Sequence, residues 1–190
     1  TDVGAGAVYL IAADLSAGTR SLTTAATARF IGTGPGAAAG TSVAGIGDFN
    51  GDGFADFAIG APHYDAPNAS GAGGAYVVFG GLLTGDYVLQ TDADVVLHGD
   101  AADWSLGSAV GGGGDVDADG YSDLAVGAPS ADIEVEDGGA VYVIRGGLSD
   151  FGAQHIGVVA TLTVRGDAAS QNLGSSLSID GDVDRDGFDD

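Results

Sequence analysis

Apolar residues in this chain come in short bursts, each closed by glycine or aspartate. Leu124-Ala125-Val126-Gly127-Ala128-Pro129 is one such burst, and Phe57 to Pro62 repeats it. Ala140 to Ile144, before Gly146-Gly147, is echoed by Ala75 to Phe79, before Gly80-Gly81, and by Ala7 to Ile11. A further set is Thr161 to Arg165, Val95 to His98 and Ala28 to Ile31, and a run of small residues covers Gly107 to Gly112. Runs this short, rich in Val, Ile and Tyr and bounded by turn residues, predict β-strands. No 3.6-residue apolar period is present, so no amphipathic helix is expected.

The bursts recur on a fixed period. Asp48 opens the sequence D-F-N-G-D-G-F-A-D, Asp115 opens D-V-D-A-D-G-Y-S-D and Asp182 opens D-V-D-R-D-G-F-D-D, so both intervals are 67 residues. Val95 to Asp123 aligns without a gap on Leu162 to Asp190, and Leu106-Gly107-Ser108 matches Leu173-Gly174-Ser175 and, more loosely, Ala39-Gly40-Thr41. Each unit reads as a small-residue strand, an acidic loop and three further strands. Four antiparallel strands per repeat make a β-propeller blade. The expected fold class is therefore all-β, with four-stranded antiparallel blades on a 67-residue repeat. The divisions are a partial blade over 1–33, blades over 34–100 and 101–167, and a partial blade over 168–190. Propellers usually close with about four to eight blades. The chain is thus expected to be a piece of a larger propeller, or to complete one with other chains.

Composition sharpens this picture. The net charge is −22, lysine is absent, and of 27 acidic residues only Glu134 and Glu136 are glutamate. Asp carries a short carboxylate suited to turns and hard-cation sites, so the bias points to metal loops rather than charged helices. Such a surface repels nucleic acid and anionic membranes. No run reaches the roughly 18 apolar residues of a membrane-spanning helix, so membrane insertion is not expected. Without cysteine there are no disulfides to brace the fold. The start of the chain lacks a basic-then-apolar leader, as expected of a processed protein or an excised fragment.

The three acidic loops are the chemistry-bearing motif. Calcium takes six to eight oxygens at roughly 2.3–2.6 Å, and alternate residues can aim oxygens at one ion only if the backbone curls tightly. Gly53, Gly120 and Gly187, each at loop position 6, permit that curl. Positions 1, 3, 5 and 9 then supply side-chain oxygens. They are Asp48, Asn50, Asp52 and Asp56 in the first loop, and Asp115, Asp117, Asp119 and Asp123 in the second. In the third they are Asp182, Asp184, Asp186 and Asp190, giving three Ca²⁺ sites in all. An EF-hand begins alike but needs a bidentate Glu at position 12 within flanking helices. Here position 12 is Ile59 or Val126, inside strand-like runs.

Leu-Gly-Ser, then D-x-D-x-D-G-x-x-D, then an apolar run closing in Gly-Ala-Pro resembles the FG-GAP repeat, which builds the propeller of integrin α subunits and of many bacterial surface proteins. The resemblance covers essentially the whole chain, with loop and Gly-Ala-Pro intact at Asp48 to Pro62 and Asp115 to Pro129. The pattern departs at the "FG" element, where Leu106-Gly107, Leu173-Gly174 and Ala39-Gly40 stand. The resemblance implies that the position-7 carbonyls of Phe54, Tyr121 and Phe188 join the ligands, leaving those side chains to pack on the blade. It also implies a secreted or cell-surface, non-catalytic module for adhesion or protein interaction, with a protein or glycan ligand. The alternatives are the propeller domain of a secreted enzyme of polysaccharide lyase or phospholipase type, and a carbohydrate-binding propeller.

Other features read more plainly. Arg165-Gly166-Asp167 spells an integrin-ligand tripeptide, but one repeat earlier those positions are His98-Gly99-Asp100, so it is read as the exit of strand four. Asn68-Ala69-Ser70 has the form of a glycosylation sequon and is read as a loop. His63, His98 and His155 lack metal-site spacing and are read as surface or strand-end residues, and Trp104 as a packing residue. No nucleophile elbow or phosphate-cradling loop is present, and the acidic pairs belong to the loops. Because Asn50 removes one charge from the first loop, that loop should bind Ca²⁺ most weakly. Titration of variants retaining one loop each checks this, and equal or tighter binding by the first loop refutes it.

Overall fold

The computed structural model describes residues 2–11, 19, 21–147 and 152–190. In chain order the strands are β1 (Ala7–Ile11), β2 (Ala26–Ile31), β3 (Ser42–Gly47), β4 (Asp56–Ala61), β5 (Gly74–Val78) and β6 (Gly85–Val88). They continue as β7 (Val95–His98), β8 (Ala109–Gly112), β9 (Leu124–Ala128), β10 (Ala140–Ile144), β11 (Gly152–His155) and β12 (Leu162–Arg165). Three single helical turns, α1 (Leu22–Ala25), α2 (Leu89–Asp92) and α3 (Ile156–Val159), each precede a blade's fourth strand. The fold is all-β. Strands β3-β4-β5-β7 form one antiparallel blade and β8-β9-β10-β12 the next, while β1 and β2 form an antiparallel pair of a third.

The apolar bursts are explained by burial on both faces of the central blade. Along β5, Ala75 and Val77 point into one hydrophobic cluster with Leu124, Val126 and Tyr142 of the following blade. Tyr76 and Val78 point into another with Ala28 and Phe30 of the preceding one. Strand β7 alternates in the same way, Val95 and Leu97 against Val96. A strand covered on both sides reads as a continuous apolar run. Each inter-blade seam is thus one core, and no blade buries its faces alone.

The glycines of the motif lie where two blades come closest. A Cβ on Gly60 would sit 2.0 Å from the carbonyl oxygen of Gly107, and one on Gly127 2.0 Å from that of Gly174. The Gly of Gly-Ala-Pro therefore meets the Gly of the next Leu-Gly-Ser, backbone against backbone. Gly107 also donates its N–H to Gly127 of its own blade, and Gly40 does the same to Gly60. Ala39, the departure from the motif, is buried at 5% exposure and bridges Gly6 as Leu106 bridges Gly73 and Leu173 bridges Gly139. The smaller side chain keeps the backbone contact.

Two strands and the three helical turns were not expected from the sequence. Between their third and fourth strands the two later blades each send out a short segment that pairs parallel with the fourth strand of the blade before. Strand β6 pairs with β2, Ala28 opposite Gly85, and β11 pairs with β7, Val95 opposite Gly152. The turns α2 and α3 follow at once and drive Leu89 and Ile156 into the seams, where both are buried. Side chains add ties 57 residues apart. Arg29 pairs with Asp86, Thr33 Oγ1 donates to Gln90 at 3.1 Å, and Gly157 N–H donates to Asp100 at 3.2 Å.

This crossing also brings His98 and His155 together, their rings 6.3 Å apart at 68°. Both are strand-end residues. His98 is buried and stacked on Tyr64, and its Nδ1 has no hydrogen-bond partner among the described residues. Burial, and then the neighbouring His155, hold its pKa below the ordinary 6.5. The facing Asp100 carboxyl, 3.5 Å from His155 Nδ1, is raised above the usual carboxylate value by burial. A buried base whose folded pKa is depressed favours folding above its unfolded pKa, and that contribution is lost as pH falls. Stability should therefore decline as pH drops below about 6.5. Denaturation of His98→Phe across the same range should show a shallower decline; an identical slope would refute the assignment.

Candidate metal centre

The first two acidic loops each leave a first strand and re-enter a second, β3 to β4 and β8 to β9, and the same hydrogen bonds shape all three loops. Position 1 accepts the N–H of the position-6 glycine: Asp48 from Gly53 at 2.9 Å, Asp115 from Gly120 at 2.9 Å and Asp182 from Gly187 at 3.0 Å. Position 5 accepts the N–H two residues on, as Asp52 does from Phe54, Asp119 from Tyr121 and Asp186 from Phe188. Position 3 accepts the N–H of position 5, at 2.9 Å for Asn50, 3.3 Å for Asp117 and 3.0 Å for Asp184. These are Asx-type turns, and they curl the backbone around the loop centre. Gly53, Gly120 and Gly187 adopt φ of 89°, 93° and 98°, the left-handed region required at position 6.

Position 4 is left-handed as well, and sequence reading overlooked it. Gly51 takes φ 79°, but Ala118 and Arg185 take 56° and 67° with a Cβ present. The glycine of the first loop was the available signal. Such conformations cost about 1 kcal/mol for a residue with a Cβ.

Position 9 has a different role from the others. Asp123 is fully buried, with Val116 N–H donating to one carboxylate oxygen at 2.8 Å and Gly146 N–H to the other at 2.8 Å. Asp56 repeats this with Phe49 N–H at 2.9 Å and Gly80 N–H at 2.7 Å. One side chain thereby joins the loop's start to the exit of the third strand. Burial raises both carboxyls above the usual range, and the backbone donors pull in the opposite direction. Asp190 accepts from Val183 N–H at 2.9 Å while remaining exposed.

The loops gather oxygen. Asp115, Asp117 and Asp123 each offer a carboxylate oxygen, all within 4.8 Å of one another, and so do Asp182, Asp184 and Asp190. Positions 1, 3 and 9 thus converge in the second and third loops, while Asp119 and Asp186 lie outside these groups. In the first loop Asn50 at position 3 donates its amide to Asp52 at 2.9 Å. The donor set is all-oxygen and mostly anionic, and it fits a hard cation such as Ca²⁺. At the second loop a cation is already drawn in, since Arg145 reaches Asp117 at 2.9 Å.

The position-7 aromatics do not enter a core. Phe54, Tyr121 and Phe188 are 56%, 38% and 44% exposed. Tyr121 lies over Gly51 of the preceding loop and over Gly147, where any side chain would collide with its ring. Adjacent loops also touch through their backbones. Ser122 N–H donates to the Asp48 carbonyl, and Asp189 N–H to that of Asp115 at 3.2 Å. Asp189 in turn accepts the Asp115 N–H at 2.9 Å.

Residues 39–78 and 106–144 match the FG-GAP repeat model, and these two segments are FG-GAP repeats. Over 103 residues, 52% of its length, the chain is 41% identical to phosphatidylinositol-glycan-specific phospholipase D of Bos taurus, covering 12% of that protein. It is 38% identical to integrin alpha-PS2 of Drosophila melanogaster over 97 residues, 49% of the chain and 7% of that protein. Integrin alpha-3 of Cricetulus griseus is 32% identical over 120 residues, 62% of the chain and 10% of that protein. The chain thus spans a small part of each relative's length.

Replacing Asp123 by Ala removes the acceptor of two buried N–H groups. In chelator, where metal contributes nothing, this should lower stability by about 3 kcal/mol, and Glu136→Ala on the exposed surface by less than about 0.5. Urea unfolding followed through Trp104, which packs on the inter-blade core, measures both. Equal losses would refute the clamp.

Proposed function

We propose that the chain is a calcium-stabilised propeller module that works outside the cell in adhesion or protein interaction and has no catalytic role of its own. The observation that carries the calcium reading is the convergence of Asp115, Asp117 and Asp123 within 4.8 Å, repeated by Asp182, Asp184 and Asp190. Three carboxylates so close repel one another, and a divalent cation among them would remove that repulsion. Asp48, Asn50, Asp52 and Asp56 would form the first site, with positions 5 and 7 completing each ligand set. The residues would hold an ion that bridges loop and blade, so binding would contribute to folding itself.

The interaction role is supported by the likeness to integrin alpha chains, and the propeller architecture supplies loop surfaces for a partner. A second reading, the propeller domain of a secreted enzyme, is supported by the 41% identity to a phospholipase D. The described residues offer few cations for phosphate or carboxylate chemistry: Lys is absent and Arg29, Arg145 and Arg165 are each ion-paired. In that reading the chain remains a support for a reaction carried elsewhere.

Thermal unfolding with Ca²⁺ and with chelator should differ by more than 10 °C, which a binding contribution of several kcal/mol implies. Calorimetric titration should lose one site in Asp117→Asn/Asp184-intact protein and another in the reverse variant. Unchanged melting, or heats unaffected by both substitutions, would sink the calcium reading.

A further inference from the structure

The three acidic loops meet the same electrostatic problem at position 3 in three ways. In the first loop Asn50 is neutral and donates its side-chain amide to Asp52 at 2.9 Å. In the second loop the carboxylate is kept and a guanidinium comes to it, with Arg145 Nη1 2.9 Å from Asp117 Oδ2. In the third loop Asp184 is kept and, among the described residues, no arginine or histidine pairs with it. Asp117 is one of three carboxylates converging within 4.8 Å. Asp119 and Asp123 attract the same guanidinium through space.

The backbone that carries this guanidinium is held in place. Directly after Arg145, Gly146 N–H donates to Asp123 at 2.8 Å and Gly147 N–H to the Phe49 carbonyl at 2.7 Å. The side chain therefore leaves from a fixed point beside the loop, at the exit of β10. At the exit of β5 the corresponding residue is Phe79, and the glycine after it gives its N–H to the loop in the same way, Gly80 to Asp56 at 2.7 Å. Both blades share the place, and only the second puts a charge there.

We propose that Arg145 is a built-in counter-cation of the second loop, which neutralises Asp117 when no metal ion is bound and must be displaced for a divalent cation to enter. The proposal rests on the calcium reading of the loops and adds a regulating contact to one of them. Arginine stays protonated at physiological pH and has no acceptor, so it can stand at Asp117 only as a cation. A dication among Asp115, Asp117 and Asp123 repels it at close range and competes for the same oxygen. Binding therefore draws on the molecules in which the pair is open, and the apparent affinity falls by that fraction. The pair is partly exposed, 51% at Arg145 and 28% at Asp117, so the guanidinium has solvent to swing into. An ion pair of this exposure is weak enough to open. The second loop thus keeps a cation at its ligands without metal and binds metal less tightly for it.

Tyr121 makes the second loop separately visible, because the first and third loops carry phenylalanine at position 7. Tb³⁺, a hard oxygen-seeking ion, serves as the probe: bound beside a tyrosine, it emits when the ring is excited. The 190-residue chain is titrated, with Tyr121→Phe as the blank. In Arg145→Gln, which removes the charge, the Tb³⁺ concentration giving half-maximal emission should fall about five-fold. Arg145→Lys should stay within about three-fold of the parent, since a point charge can replace a single N–H contact. In chelator the order reverses. Arg145→Gln should melt about 2 °C below the parent, because Asp117 then faces Asp115 and Asp123 without its cation. Unchanged or weaker Tb³⁺ binding by Arg145→Gln, with Ca²⁺ still abolishing the parent's emission, would overturn the counter-cation and leave the calcium reading standing. A lower melting point with no gain in affinity would make Arg145 a structural contact, and overturns it equally. No Tyr121-dependent emission from the parent would bring down both.

Discussion

A carboxylate buried under each of the first two acidic loops, and satisfied by backbone N–H groups on both sides, is the constraint on which the blades turn. Asp56 and Asp123 hold the start of their loops and the exits of β5 and β10 at once. An ionised group in such a place is costly unless every oxygen is paired, and here the pairing fixes where three chain segments must meet. The turns at positions 1 to 7 close against that corner in the first two loops, and the third loop makes the same turns with Asp190 exposed. The oxygens at positions 1 and 3 are then carried to within reach of position 9, so the arrangement that could receive a cation follows from the arrangement that folds the corner.

The seams impose a second constraint. Side chains on successive residues of β5 and β7 enter different cores, so the central blade contributes to both seams and cannot slip in register without emptying them. Close backbone approach at Gly60 with Gly107 and at Gly127 with Gly174 sets the distance between blades. The abundance of glycine is thereby explained in part by contact rather than flexibility.

Much of this was legible in the chain. The 67-residue period, the four strands of each blade and the acidic turns could be read because strands buried on both faces leave unbroken apolar runs, and because position 6 demands glycine. Strands β6 and β11 could not be read in the same way. Gly85-Asp86-Tyr87-Val88 and Gly152-Ala153-Gln154-His155 show no shared apolar alternation, and their partners lie 57 residues earlier in another blade. Their strand character comes from the edge they meet. The left-handed turns at Ala118 and Arg185 escaped notice for a related reason, since only the first loop spells that position with glycine. The outward lie of Tyr121 depends on Gly51 and Gly147 of neighbouring segments, which no single repeat reveals.

The parallel strand that each blade lends to its predecessor gives the array the logic of a chain of clasps. A repeat completes its neighbour before it is itself complete, so the free energy of joining resides in the seam and much less in the unit. Folding of such an array spreads from an existing pair of blades more readily than it begins in a single one. The same bookkeeping governs descent by duplication. A copied stretch of one period, cut anywhere, restores every clasp, because what it lacks at one end it brings at the other. A duplication that stops short of a full period would leave a clasp without its edge. The constancy of the 67-residue period across Asp48, Asp115 and Asp182 is what such a rule of growth would leave behind.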